Sequence, residues 1–256
     1  MAMTKKIILI AVLVIVVFHV VWYATSRMIM NKKLPDEATV QTVFDNLLKD
    51  EKINIDRNSF TETYLEANGI RLHLDVFSSG KNAPTLVFIP GTSVYAKFYI
   101  EFMYKMYLQG FNVVGFDLRP PLFMVPLAEF MADLYKSYSI PIFLYLDLSK
   151  EKSKSGTDAA TLLKSNPIAV KWITFRALGS LMHTELAEPV EKITVPIMLV
   201  HAEKDSIFPQ AYVEDIYNRL TCKKKYLFFK NTEHLVMTNN VDEAAPPIAK
   251  WLKEVM

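Results

Sequence analysis

Four short, largely apolar runs do most to limit what this chain can fold into: Thr85 to Ile89 (TLVFI), Phe111 to Phe116 (FNVVGF), Ile197 to His201 (IMLVH) and Lys225 to Phe229 (KYLFF). Each is too short for a helix and ends at a loop; the first three have the pattern of a buried strand, and the fourth reads as a strand. Tyr95 to Gln109 lies between the first two and reads as an aromatic-rich helix closed by Gly110. A strand, a helix and a second strand joined by a right-handed crossover make a parallel pair. The C-terminal third repeats this order, with a helix over Gln210 to Leu220 between its two strands and an amphipathic helix over Asp242 to Val255. Ahead of them, Phe60 to Ala67 and Ile70 to Phe77 both alternate in polarity around Asn68-Gly69, the mark of a two-residue hairpin. The expected fold is α/β, a mostly parallel sheet with helices on both faces.

The N-terminus follows a different rule. Ile7 to Tyr23 (IILIAVLVIVVFHVVWY) carries no charge, follows Lys5 and Lys6, and precedes Arg27, Lys32 and Lys33. A membrane-spanning helix needs about 17–25 apolar residues, and Trp22 with Tyr23 fits the aromatic belt at a bilayer surface. The expectation is an uncleaved single-pass anchor in the membrane lipid bilayer. The alternative is secretion through a cleaved signal peptide, against which stand the length of the run and the lack of a small-x-small site near Ala24. His19 within the run reads as tolerated near the helix end. From residue 31 to about 60 the chain turns polar, with Val40, Val43, Phe44, Leu47 and Leu48 spaced along one helix face, and is expected to form a stalk or lid helix. The division is therefore 1–30 anchor, 31–60 helical stalk or linker, and 61–256 α/β domain.

With 29 basic against 27 acidic side chains and a net charge of +2, the chain has no electrostatic footprint for nucleic acid. Its single cysteine, Cys222, cannot form an internal disulfide and reads as a strand-edge residue. No metal-ligand spacing, phosphate-cradling glycine loop or dinucleotide fingerprint is present, so no cofactor and no metal are expected.

Open α/β sheets bind ligands beyond the carboxyl ends of their strands. After TLVFI comes Pro90-Gly91-Thr92-Ser93, after IMLVH comes Ala202-Glu203-Lys204-Asp205, and after KYLFF comes Lys230-Asn231-Thr232-Glu233-His234. An acid followed by a histidine, each in such a loop, is the order in which this architecture presents the second and third members of a triad. Bland readings stand beside these: Asp205 as a turn former, His234 as a loop histidine bonded to backbone, Gly91 as a glycine demanded by positive φ. His183 and His201 read as structural, and His73 as an exposed polar position of its strand.

Tyr64 through Asp117, with FIPGTSVYAKFYIEF and QGFNVVGFD, and Pro196 through Trp251, with PIMLVHAEKDSIFP and NTEHLVM, resemble the α/β-hydrolase superfamily in its lysophospholipase and serine-aminopeptidase-like branch. The resemblance implies a serine hydrolase acting on acyl esters, with lipid or another acyl ester as substrate. It further implies that Asp205 fixes the tautomer of His234, that His234 serves as general base, and that the Thr92 N–H is an oxyanion-hole donor.

The nucleophile breaks the pattern. The family places its serine in G-x-S-x-G, and none of the seven glycines here begins such a motif. Where family members continue from Asp117-Leu118-Arg119 to the serine strand, Pro120-Pro121 leads into PLFMVPLAEFMADLYKSYSIPIFLYLDL. The expectation is an internal gap near residues 119–122 that removes central strands, followed by a remnant cap over about 122–190. Ser93 is a weak substitute nucleophile, and Ser137 and Ser139 are weaker. Three readings remain: an acyl-ester hydrolase, a catalytically silent membrane-anchored binding protein, and a truncated remnant.

Overall fold

The computed structural model describes residues 2–30, 35–67, 70–91, 94–116, 138–144, 147–182 and 189–256. The chain divides into two compact units. The smaller comprises Met1–Leu34, Pro120–Leu144 and Lys171–Glu185, and the larger comprises Pro35–Arg119, Tyr145–Val170 and Leu186–Met256.

The smaller unit is built on helix α1 (Ala2–Met30). From Ile10 to Phe18, and again at Val20 and Val21, large apolar side chains stand about half or more exposed all around the helix. Its last turns behave differently. Ser26 is buried, and its hydroxyl accepts a hydrogen bond from the N–H of Ser139 at 2.9 Å. Trp22 Nε1 donates to the carbonyl of Ser139 at 3.1 Å, and the Tyr138 hydroxyl donates to the carbonyl of His19 at 3.1 Å. These contacts seat α1 on a small antiparallel pair, β5 (Ser139–Pro141) with β6 (Trp172–Thr174), where Tyr138 and Phe175 stack edge-on against Trp22. Ser139 is thus committed to the strand and to α1.

In the larger unit, helix α2 (Glu37–Asp50) starts where Asp36 accepts the N–H of Thr39 at 2.8 Å, an N-cap that satisfies an orphan donor. The stalk expected here is not what forms. The apolar stripe enters the core, with Phe44 buried and Leu47 and Leu48 packed beside it. Strands β1 (Phe60–Ala67) and β2 (Ile70–Phe77) pair antiparallel in a register that brings Ala67 opposite Ile70, as their alternation predicts. The Asn68-Gly69 turn itself lies outside the described residues.

Strand β3 (Thr85–Phe88) runs parallel to β4 (Asn112–Phe116), and β4 joins β2 antiparallel, giving the order β1-β2-β4-β3. A 3-10 turn (Ala96–Tyr99) and helix α3 (Ile100–Leu108) make the crossover, burying Ile100, Met103 and Met106 completely. The helix lies close to β4 because Gly115 leaves room: a Cβ there would stand 2.7 Å from Met103 Sδ and 3.0 Å from Ala96 Cβ. The next parallel pair is β7 (Ile197–Ala202) with β8 (Lys224–Phe229), joined by α6 (Gln210–Arg219). The short α7 (Val236–Asn239) and long α8 (Val241–Val255) follow, and α8 buries Ala244, Ala245, Ile248 and Ala249 in the same core as α3.

Among the described residues the expected α/β sheet is mixed, the hairpin joining β4 antiparallel while β3–β4 and β7–β8 run parallel. One expectation is corrected here. Thr85 to Ile89 was expected to be buried on both faces. Leu86 and Phe88 do turn toward the core, but Val87 and Ile89 are 61% and 62% exposed, because no element among the described residues covers them.

The segment expected to be a remnant cap is only partly described. One stretch of it, with helix α4 (Ala159–Ser165), belongs to the larger unit and is bound to the helices and loops of that unit. Lys154 Nζ pairs with Glu101 of α3 at 2.9 Å, and the Asn166 amide donates to the Tyr95 hydroxyl at 3.0 Å. Glu51 accepts the N–H and hydroxyl of Ser155, and Asn239 Nδ2 donates to the carbonyl of Lys152. Another stretch forms β5, β6 and helix α5 (Phe175–Met182) of the smaller unit. The junction near 119–122, Asp117, Ser137 and His183 lie outside the described residues.

Candidate active site

The loops after β7 and β8 bring Asp205 and His234 together from positions 29 residues apart. Asp205 Oδ2 lies 2.9 Å from His234 Nδ1. Its other oxygen, Oδ1, accepts the N–H groups of Ile207 at 2.8 Å and Phe208 at 2.9 Å, an Asx turn that fixes the carboxylate against its own loop. Asp205 thus forms a turn with one oxygen and meets His234 with the other.

Burial acts to raise the Asp205 carboxyl. The hydrogen bonds from His234, Phe208 and Ile207 and the charge of His234 outweigh it, holding the group below the ordinary carboxylate value. Asp205 is consequently an ionised, acceptor-only group at neutral pH, so the proton in the 2.9 Å contact belongs to His234 Nδ1. That assigns the neutral ring the Nδ1–H tautomer and leaves Nε2 with its lone pair. The His234 side chain remains 31% exposed, against 5% for Asp205. A buried acid behind a reachable imidazole is the arrangement in which an imidazole can take a proton from a substrate-side hydroxyl or water.

His201, expected to be structural, is buried at the end of β7 with Nδ1 3.5 Å from the same Asp205 oxygen. Gly91 does not need its glycine for backbone reasons, since it is not among the positive-φ glycines. A Cβ there would meet Val94 and Tyr99 at ordinary contact distances of 3.6 and 3.9 Å. Thr92 and Ser93, the expected oxyanion donor and weak nucleophile, lie outside the described residues. Cys222 is a half-buried free thiol.

Sequence reasoning missed Glu151. It is buried to 1% exposure, accepts the Ser206 N–H on Oε1 at 3.0 Å together with the Ser206 hydroxyl, and accepts the His234 N–H on Oε2 at 2.7 Å. Its neighbourhood, Lys150 to Lys154, reads as a solvated charge run, and no sequence signal there sets Glu151 apart.

Among the described residues, Glu62, His73 and Asp75 present ligand atoms within 4.8 Å of one another, as a metal site would. Lys97 already fills that place. Its Nζ lies 2.9 Å from both Glu62 and Asp75. Burial acts to lower Lys97, but the charge of Asp75 and the hydrogen bonds of the two carboxylates win, and the ammonium is held above its ordinary value. His73, expected to be exposed, is instead half-buried and bonded to Glu62 at 3.0 Å.

No family model matches the sequence, and no curated protein matches it. Solved structures do. DcsB, solved in complex with its substrate analogue, superposes with a TM-score of 0.61 at 13% identity, covering 77% of this chain and 99% of its own. The monoacylglycerol lipase of Paleococcus ferrophilus gives 0.58 at 14% identity, covering 73% and 100%. A soluble variant of the monoglyceride lipase of Saccharomyces cerevisiae, in complex with a substrate analogue, gives 0.57 at 13%, covering 80% and 98%. The fold is that of the α/β-hydrolases. The Asp205 and His234 loops leave the carboxyl ends of the parallel strands β7 and β8.

Proposed function

We propose that this chain is a membrane-tethered α/β-hydrolase-fold protein in which Asp205 and His234 form the proton-handling half of an acyl-ester-cleaving site. The observation that carries the reading is the 2.9 Å contact between His234 Nδ1 and Asp205 Oδ2, with the second carboxylate oxygen pinned by two backbone N–H groups. An acid held only to form a turn has no need of a histidine on its other oxygen. In this reading His234 Nε2 removes a proton from the attacking oxygen as it bonds to the ester carbonyl carbon, then returns the proton to the departing alkoxide. Asp205 steadies the imidazolium formed in between. The structural neighbours that are lipases and esterases are consistent with an ester substrate, and a membrane tether would keep a lipid ester within reach.

The tether is the finer part of the proposal. Ile10–Ile29 has a mean hydropathy of 1.8 over 20 residues, long enough to cross a bilayer, and is almost wholly unburied within the fold. Apolar side chains exposed on every face of a helix require an apolar solvent, and lipid supplies one.

A second reading, a catalytically silent binding protein, is favoured by the missing G-x-S-x-G motif. The full-length chain in lipid nanodiscs, assayed on short-chain and monoacylglycerol esters beside Asp205→Asn, separates the two. Turnover lost in the variant supports the ester-cleaving site, and absence of turnover from a folded sample supports the silent protein. A fluorophosphonate probe then identifies the attacking group: stoichiometric labelling that Ser93→Ala abolishes means that serine, and turnover without labelling means water.

A further inference from the structure

The Asp205–His234 contact joins two surface loops, and neither loop is held in place by that contact alone. Ser206 directly follows Asp205, and its N–H and hydroxyl both donate to Glu151 Oε1. The backbone N–H of His234 donates to Oε2 of the same carboxylate at 2.7 Å. One buried carboxylate therefore holds the residue after the acid on one oxygen and the base on the other. Among the described residues it meets these donors and no cation, so its charge is matched entirely by the groups it positions. Glu151 is itself fixed, because its carbonyl accepts the N–H of Ala159 at 2.8 Å and the chain beyond it is tied to α2, α3 and α7 through Ser155, Lys154 and Lys152.

We propose that Glu151 is a positioning residue that sets the geometry of the Asp205–His234 pair by clamping both loops on one buried carboxylate. The proposal rests on the reading of that pair as the general-base unit. Glutamine at 151 would keep the shape but turn one acceptor into a donor, placing an NH₂ against either the His234 N–H or the Ser206 donors. Residue 151 could then no longer hold both loops at once, leaving the alignment of Asp205 and His234 to the backbone bonds from the Glu203 N–H to the Phe229 carbonyl and from the Lys204 N–H to the Thr232 carbonyl. Aspartate would be one methylene too short to reach both.

The test is nitrogen-15 NMR of the full-length chain in nanodiscs, labelled at histidine and assigned with His234→Ala. The expected wild-type ring is the Nδ1–H tautomer, and Glu151→Gln should lose about half or more of that population toward Nε2–H while retaining a cooperative melt. Ser206→Ala, which removes a hydroxyl but leaves the backbone clamp, should retain the tautomer. A Glu151→Gln ring that keeps the wild-type tautomer overturns the positioning role. A wild-type ring without Nδ1–H overturns the general-base reading instead. Should Glu151→Gln fail to fold, amide exchange in the wild-type chain decides: the His234 N–H should be slowed at least about tenfold relative to an open amide, and an unprotected His234 amide refutes the clamp.

Discussion

Replacing Lys97 by methionine would remove one ammonium from the most deeply buried ion pair described in the larger unit and leave the side-chain volume nearly unchanged. Asp75 is fully buried and Lys97 is 4% exposed at the side chain, with Nζ 2.9 Å from both Asp75 and Glu62. Removing one partner of such a pair costs about 3–5 kcal/mol, because it strands the other charge in a low-dielectric site. Burial, the largest influence on Asp75, already raises its pKa above the ordinary carboxylate value, with Lys97 the chief opposing influence. The variant loses that opposition, so Asp75 in the folded state should take up a proton well above its unfolded value of about 3.9. A raised folded value makes the group's contribution fully present below the unfolded pKa and lost as pH rises through the folded one. The stability gap between Lys97→Met and wild type should therefore widen from pH 4 to pH 8 in urea unfolding followed by tryptophan fluorescence. Adding Asp75→Asn should recover most of it. A gap under about 1 kcal/mol at pH 8, or one independent of pH, would refute the account of a buried, charge-matched cluster.

Three further outcomes follow from other parts of the molecule. Gly115→Ala should destabilise by about 1–3 kcal/mol, measured as a shift in the urea midpoint, because its Cβ meets Met103 Sδ at 2.7 Å and α3 must retreat from β4. Asp205, held below its ordinary value in the fold, should stabilise the protein above about pH 4 and lose that contribution as pH falls through its depressed value; Asp205→Asn should flatten this part of the pH–stability curve. Trp22→Ala, which removes the bond to the Ser139 carbonyl and the ring contacts with Tyr138 and Phe175, should make the β5–β6 pair cleavable by trypsin at Lys171 under conditions where the wild type is protected.

The parts of the fold legible in the sequence are those fixed by local pattern. TLVF, NVVGF and IMLVHA each form the expected strand because a short apolar run between turn residues has few other solutions, and the hairpin follows from alternation on both sides of Asn68-Gly69. Asp205 and His234 were legible because they directly follow such strands. Glu151 was not, since a glutamate among lysines reads as solvent-facing until residues 55 and 83 positions away supply its donors. Helix α2 was read as a helix but misplaced, because its apolar stripe says that something covers Phe44 without saying what. The exposure of Val87 was equally hidden, for it depends on which elements lie beside β3 and not on β3 itself.

The central claim is that His234, oriented by Asp205, handles the proton in ester cleavage, and hydrolysis by the full-length chain beside His234→Ala tests it most directly. The account predicts measurable ester turnover that falls about 10²- to 10⁴-fold in the variant while its melt remains cooperative. Equal turnover in both proteins would contradict it.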